Sequence, residues 1–160
     1  MITKSLLNDY KVGLLTIMIR KSFLNNTKNV FDTNYDLIAD FDFTVKFSLK
    51  YKFDCVQQPV AIYRKHELQL SRKLFKKQVE QFDAWFSKAK SFSDLNSYSE
   101  MSEVKNLIQY KKILKLIYEK NYLKSVLQIF KYPLTVKKFK LIFILFLPNF
   151  VSKYFRDYRL

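Results

Sequence analysis

Asp40 and Asp42 stand two residues apart in the string Asp40-Phe41-Asp42, and carboxylates are the first residues here whose type could do chemistry. Phe41, Val45 and Leu49 recur at i, i+4 and i+8, which predicts a largely buried helix over Leu37 to Tyr51. On a helix, carboxylates at i and i+2 face different ways, so the pair is not expected to chelate one metal. One of them can project from the helix start into a cleft as a general base, with burial lifting its pKa towards working pH. The other role open to them is to complement the helix dipole, and periodicity alone favours it.

A second candidate cluster is Tyr63-Arg64-Lys65-His66. His66 is the single histidine of the chain. It can serve as a ligand for a metal or a diphosphate, with Arg64 giving a bidentate phosphate contact. The alternative is a solvated turn. Ser71 can cap a following helix. Trp85, near Phe82 and Phe86, reads best as core or interface packing.

The elements that must position these residues divide near residue 100. Leu14 to Ile19 reads as a buried strand, and Phe53 to Tyr63, interrupted by Pro59, as an irregular or edge strand. Leu74 to Ala89 carries Phe75, Val79, Phe82 and Phe86 at helical spacing. Ser91 to Ser102 has the composition of a linker. Beyond it, Val104 to Ile117 and Tyr122 to Phe130 are two amphipathic helices, the second ended by Pro133. The expected organisation is thus 1–90, a linker at 91–102, and a basic helical tail at 103–160.

Composition sets the outer bounds. The chain has 160 residues, room for one domain with an appendage, and 49% of them are apolar, which excludes wholesale disorder. A single cysteine cannot form an internal disulfide, and one Cys with one His cannot build a zinc finger. Neither GxGxxG nor GxxxxGK[ST] can be written with Gly13 as the only glycine, which excludes the phosphate loops of dinucleotide-binding enzymes and P-loop NTPases. No N-terminal run has the order of a signal peptide, so a reducing cytoplasm is the expected compartment.

The net charge is +15, and residues 101–160 carry 13 basic residues against 3 acidic ones. Such a surplus favours a polyanionic partner: nucleic acid, an anionic membrane surface or phosphorylated ligands. Abundant Lys, Asn, Phe, Tyr and Ile also point to an AT-rich coding bias that inflates the basic count. Leu141 to Leu147 is uninterrupted apolar sequence, flanked by Lys137, Lys138 and Lys140 before it and Lys153, Arg156 and Arg159 after it. The twelve uncharged residues between Lys140 and Lys153 would make a helix of roughly 18 Å, too short for a hydrocarbon core of about 30 Å. With Tyr154 and Tyr158 they suit the plane of an anionic leaflet, or else form a core helix with solvated ends.

Taken together, Asp36-Leu-Ile-Ala-Asp40-Phe-Asp42-Phe-Thr-Val-Lys-Phe, Gln58-Pro59-Val-Ala-Ile-Tyr63-Arg64-Lys-His66, Ser71, Glu80 and Trp85 resemble, in their order, the C-terminal half of family-2 glycosyltransferases of the GT-A fold that build bacterial surface polysaccharides. The strand-like segment ending Ile19-Arg20-Lys21, followed by Val30-Phe31-Asp32, matches as well, and the resemblance covers about residues 5–90. It implies an α/β fold: a partial GT-A-like, Rossmann-like domain lacking its nucleotide-binding half, followed by the helical tail. It implies that Asp40 is the catalytic base that deprotonates an acceptor hydroxyl during inverting transfer from a nucleotide-sugar donor. Arg64 and His66 would lie near the donor diphosphate and its divalent metal, Mg2+ or Mn2+, with His66 a metal ligand. The acceptor would be lipid-linked or a polysaccharide, and the tail would rest on the inner face of the cell membrane. The chain departs from the family at Ala39, where Glu is frequent, and at Asn29-Val30, where a Gly pair precedes Phe-Asp. It looks like a truncated or split enzyme, inactive without a separate N-terminal half. Two other readings stand beside it: a basic nucleic-acid-binding protein, disfavoured by the absence of an aromatic-basic RNA-binding string, and a membrane-peripheral helical adaptor without chemistry.

Overall fold

The computed structural model describes residues 2–24, 30–64, 66 and 69–147. Lys28, Asn29 and Lys65, and at the end of the tail Pro148, Lys153, Tyr154, Arg156, Tyr158 and Arg159, lie outside the described residues.

The helices expected from periodicity are found close to their expected bounds. In chain order the helices of the described residues are α1 (Thr3–Asn8), α2 (Ala39–Lys50), α3 (Leu70–Lys73), α4 (Phe75–Ala89), α5 (Ser93–Asn96), α6 (Met101–Tyr118), α7 (Tyr122–Lys131) and α8 (Val136–Phe146), of which α2, α4, α6 and α7 are the expected ones. Asp40 and Asp42 occupy the first turn of α2 and Lys50 its last, charges that complement the helix dipole at both ends. Helix α7 stops at Lys131 because Tyr132, the residue before Pro133, is extended (φ −75°, ψ 141°). Helix α3 begins at Leu70, so Ser71 lies inside it rather than at its cap.

The expected α/β, GT-A-like fold is corrected by the structure: among the described residues there are only helices, two 3-10 turns and irregular chain, with no strand and no sheet. Leu14 to Ile19, expected as a buried strand, starts as a 3-10 turn over Leu14–Thr16, with Leu15 52% and Met18 98% exposed. Phe53 to Tyr63 is irregular and solvent-facing, with Val56 71% and Ile62 92% exposed. The reason is physical. Both segments carry β-branched or apolar residues suited to a pleated surface, but a strand exists only when a neighbour completes its backbone ladder, and no such neighbour lies among the described residues.

Helix α6 is the spine. Its N-terminal half, with Met101, Val104 and Ile108, joins Leu6 and Leu7 of α1, Ile38, Phe41 and Val45 at α2, Phe82 and Trp85 of α4, and Leu95 of α5. Its C-terminal half, with Tyr110, Ile113, Leu114 and Ile117, meets Phe75 and Val79 of α4, Ile129 of α7, and Leu141 and Ile144 of α8. Each large apolar side chain so enclosed contributes about 1.5–3 kcal/mol of transfer free energy. Helix α4 runs antiparallel to α6, and three ion pairs mark the register: Asp83 with Lys112 at 2.6 Å, Glu80 with Lys115 at 2.6 Å, and Lys76 with Glu119 at 2.8 Å. Each step back along α4 is matched by an equal step forward along α6.

Helix α1 is pinned to α2 by buried hydroxyls. Ser48 Oγ donates to Thr3 Oγ1 at 2.9 Å, and Thr3 Oγ1 donates to the Ser48 carbonyl at 3.2 Å. The loop leading to α2 is held against α4 by Lys88, whose ammonium reaches Asp32 at 2.9 Å. That hydrogen bond, with one from the Asn34 N–H, lowers the Asp32 carboxyl to about 2. The stretch 91–102, of linker-like composition, contains α5 and buries Leu95 in the first core cluster.

Candidate active site

Asp40 stands at the wall of a cavity of about 530 Å³. The cavity forms where the chain after α1 and the irregular segment ending at Tyr63 both lie against α2 and α4. Tyr10, Phe41, Tyr63, Gln78 and Phe82 supply its aromatic and amide lining. The rings are held by mutual edge contacts: Tyr10 to Phe41 at 5.3 Å and Phe41 to Phe82 at 5.5 Å between centroids. Gln81 Oε1 accepts the Leu37 N–H at 2.9 Å and so fixes the entry into α2. Tyr63 is steadied from the other side by Gln69 Nε2, which donates to its hydroxyl at 2.9 Å.

The Asp40 carboxyl is half-buried, and Oδ1 accepts the N–H of Phe41 at 2.8 Å. Burial raises its pKa above the usual aspartate range, and the hydrogen bonds from the Phe41 and Asp40 backbone oppose the shift without cancelling it. Tyr10 is pushed up to about 12, first by burial and then by the nearby Asp40 charge, against a hydrogen bond with Thr44. The tyrosine thus stays a neutral hydroxyl, and Asp40 is the group on this wall whose proton affinity has been raised towards that of a base.

Asp42 does something else. It is 2% exposed, accepts Trp85 Nε1 at 2.8 Å on Oδ1, and takes Lys46 Nζ at 2.8 Å on Oδ2. The two carboxylates diverge, one to the cavity and one into the α2–α4 interface. Arg64 and His66 are exposed, and neither lines the cavity, although Tyr63 beside them does.

Among the described residues, the cavity wall does not gather a donor set for a divalent metal. Both Asp42 oxygens are engaged, His66 is off the cavity wall, and among the described residues no three of His, Cys, Asp and Glu converge.

Sequence patterning missed Tyr10 and Gln78. Gln78 is 6% exposed, and its Oε1 is buried without a hydrogen-bond partner. It lies three residues after Phe75 and four before Phe82, on the apolar stripe of α4. An amide on such a stripe was the available signal. No helix among the described residues is long and apolar enough to cross a membrane. No protein-family model, curated protein or solved structure matches the chain.

Proposed function

We propose that this chain carries the acceptor side of a sugar-transfer reaction, with Asp40 as the base. The observation that carries the proposal is the Asp40 carboxyl, half-buried on the wall of an aromatic-lined cavity of about 530 Å³ and raised in basicity by its desolvation. Aromatic faces with a carboxylate among them suit a sugar ring, whose C–H surfaces stack and whose hydroxyls donate. Asp40 takes the proton of one acceptor hydroxyl as its oxygen attacks the anomeric carbon of the donor. The bond from that carbon to the nucleoside diphosphate breaks, the diphosphate leaves, and the configuration inverts. Fixed alignment of hydroxyl and carboxylate is what the cavity contributes.

The donor diphosphate and its Mg2+ or Mn2+ belong to a complementary nucleotide-binding half, since Arg64 and His66 do not line the cavity that Asp40 walls. The isolated chain is accordingly inactive. The acceptor is a lipid-linked or polysaccharide glycan, and the protein sits at the inner face of the cell membrane.

The test has two arms. Oligosaccharides at millimolar concentration should shift the NMR signals of Phe41 and Tyr63 in the isolated chain; no shift on any cavity residue would sink the acceptor assignment. Once the chain is reconstituted with a nucleotide-binding half, Asp40→Asn should lower transfer by about 10²–10⁴-fold while leaving acceptor binding in place. A second reading, a helical adaptor at a membrane surface without chemistry, is favoured by the wholly helical core. It differs in expecting no oligosaccharide shift at the cavity residues and no transfer by the parent chain after reconstitution.

A further inference from the structure

Helices α7 and α8 pack against each other and against α6, and each buries only one side. In α7 the inward residues are Ser125 and Ile129. The opposite stripe, Leu123, Leu127 and Phe130, is 76%, 55% and 76% exposed. In α8 the inward residues are Leu141 and Ile144, while Phe139 and Phe146 on the far side are 64% and 81% exposed. Leu134, in the connection between the two helices, is 83% exposed. Scattered exposed apolar residues are ordinary, but a run of leucines and phenylalanines repeated along two adjacent helices marks a surface meant to be covered.

The charge around it says by what. From Lys120 to Leu147 the chain has six lysines and no acidic residue. Lys124, Lys131 and Lys137 are exposed. Lys138 donates to the carbonyls of Phe130 at 3.1 Å and Tyr132 at 2.9 Å, which ties the start of α8 to the end of α7. A second copy docked face to face would bring these lysines against their own kind with no carboxylate to receive them. An anionic lipid surface offers both things the face lacks, hydrocarbon for the rings and phosphates for the ammonium groups. Neither helix crosses a bilayer: the eleven residues of α8 span roughly 16 Å against about 30 Å of hydrocarbon.

We infer that the α7–α8 hairpin is an interfacial docking surface that lies in the plane of an anionic leaflet, with Leu123, Leu127, Phe130 and Phe139 inserted and lysines at the headgroups. The inference deepens the membrane part of the proposed function by naming the surface, and it is independent of sugar transfer. Covered by lipid, the hairpin would fix the orientation of the helical core relative to the membrane, and with it the cavity that Asp40 lines.

Flotation of the full chain with vesicles tests it. Vesicles of phosphatidylcholine with phosphatidylglycerol should carry the protein at least about tenfold better than phosphatidylcholine alone, and salt of about 0.5 M should reduce binding. Leu127→Glu, Phe130→Glu and Phe139→Glu should each lower binding by about tenfold or more with the far-ultraviolet circular dichroism unchanged. Val60→Glu, at an exposed apolar residue away from the hairpin, should bind as the parent does. If the parent floats and the three variants float equally well, the membrane placement stands but this surface is wrong. If the parent does not float, both are overturned. A dimer in sedimentation that Phe130→Glu dissociates would overturn the inference in favour of a second copy.

Discussion

Trp85 Nε1 donates to Asp42 Oδ1 at 2.8 Å in the interior between α4 and α2. The carboxylate is 2% exposed, and an ionised group so enclosed is tolerable only when its oxygens are engaged, here by the indole and by Lys46. This bond locks the first turn of α2, the turn that carries Asp40. Trp85→Phe keeps an aromatic ring in place and deletes the donor, so it should cost about 1–3 kcal/mol. Urea unfolding followed by circular dichroism measures it, since Trp85 is the only tryptophan and its fluorescence goes with it. Equal stability of parent and variant would show that the bond does not anchor the helix.

Two aspartates should shape the acid limb of stability in opposite senses. Asp32 is lowered to about 2 by Lys88 and the Asn34 N–H, so its contribution is complete above its unfolded value of 3.8 and is lost as pH falls towards 2. Asp40 is raised by burial. In the window between 3.8 and its folded value the native state holds a proton the unfolded chain has released, so stability falls as pH rises. Asp40→Asn should therefore be at least as stable as the parent at pH 7, with the gap closing below pH 3.8. An Asp40 carbon signal that titrates at the ordinary aspartate value would remove the desolvation argument.

How far the sequence led depends on the kind of interaction. Helical stripes such as Phe41–Val45 and Phe75–Val79–Phe82 are written in spacing and turn up as written, because a helix satisfies its backbone within itself. The divergence of Asp40 and Asp42 was equally readable from their i, i+2 offset. Strands were not: Val56, Val60 and Ile62 have strand-like side chains, and a single chain's pattern does not say whether a partner strand is there to pair with them. Nor was the cavity, since Tyr10, Tyr63 and Gln78 come together from distant segments. The buried amide of Gln78 on an apolar stripe was its one local trace.

The end of α6 makes a local prediction. Lys120 has φ 59°, a left-handed conformation that L side chains disfavour. It is imposed by the closing bonds of the helix: the Asn121 N–H reaches the Leu116 carbonyl at 3.0 Å and the Lys120 N–H reaches Ile117 at 3.0 Å. Glycine suits that position, so Lys120→Gly should stabilise the protein by about 1 kcal/mol, read as a higher midpoint in urea. Lys120→Val should do the reverse, because a β-branched side chain is strained there.

The two sides of α8 should respond to mutation in opposite ways. Leu141 is fully buried in the cluster with Ile113, Leu114 and Ile117, so Leu141→Ala leaves a void and should cost about 2–5 kcal/mol. Phe139, 64% exposed two residues earlier, meets water instead, and Phe139→Ser should change stability by no more than about 0.5 kcal/mol. Had the apolar run Leu141 to Leu147 been wholly a core helix, both sides would carry stability. A large loss for Phe139→Ser in urea would mean that this face is packed in solution, and the hairpin would then have no apolar surface to offer a membrane. A small loss there, beside a large one for Leu141→Ala, means that selection for stability alone does not account for a phenylalanine at position 139, and leaves contact with something outside the chain as the reason for it.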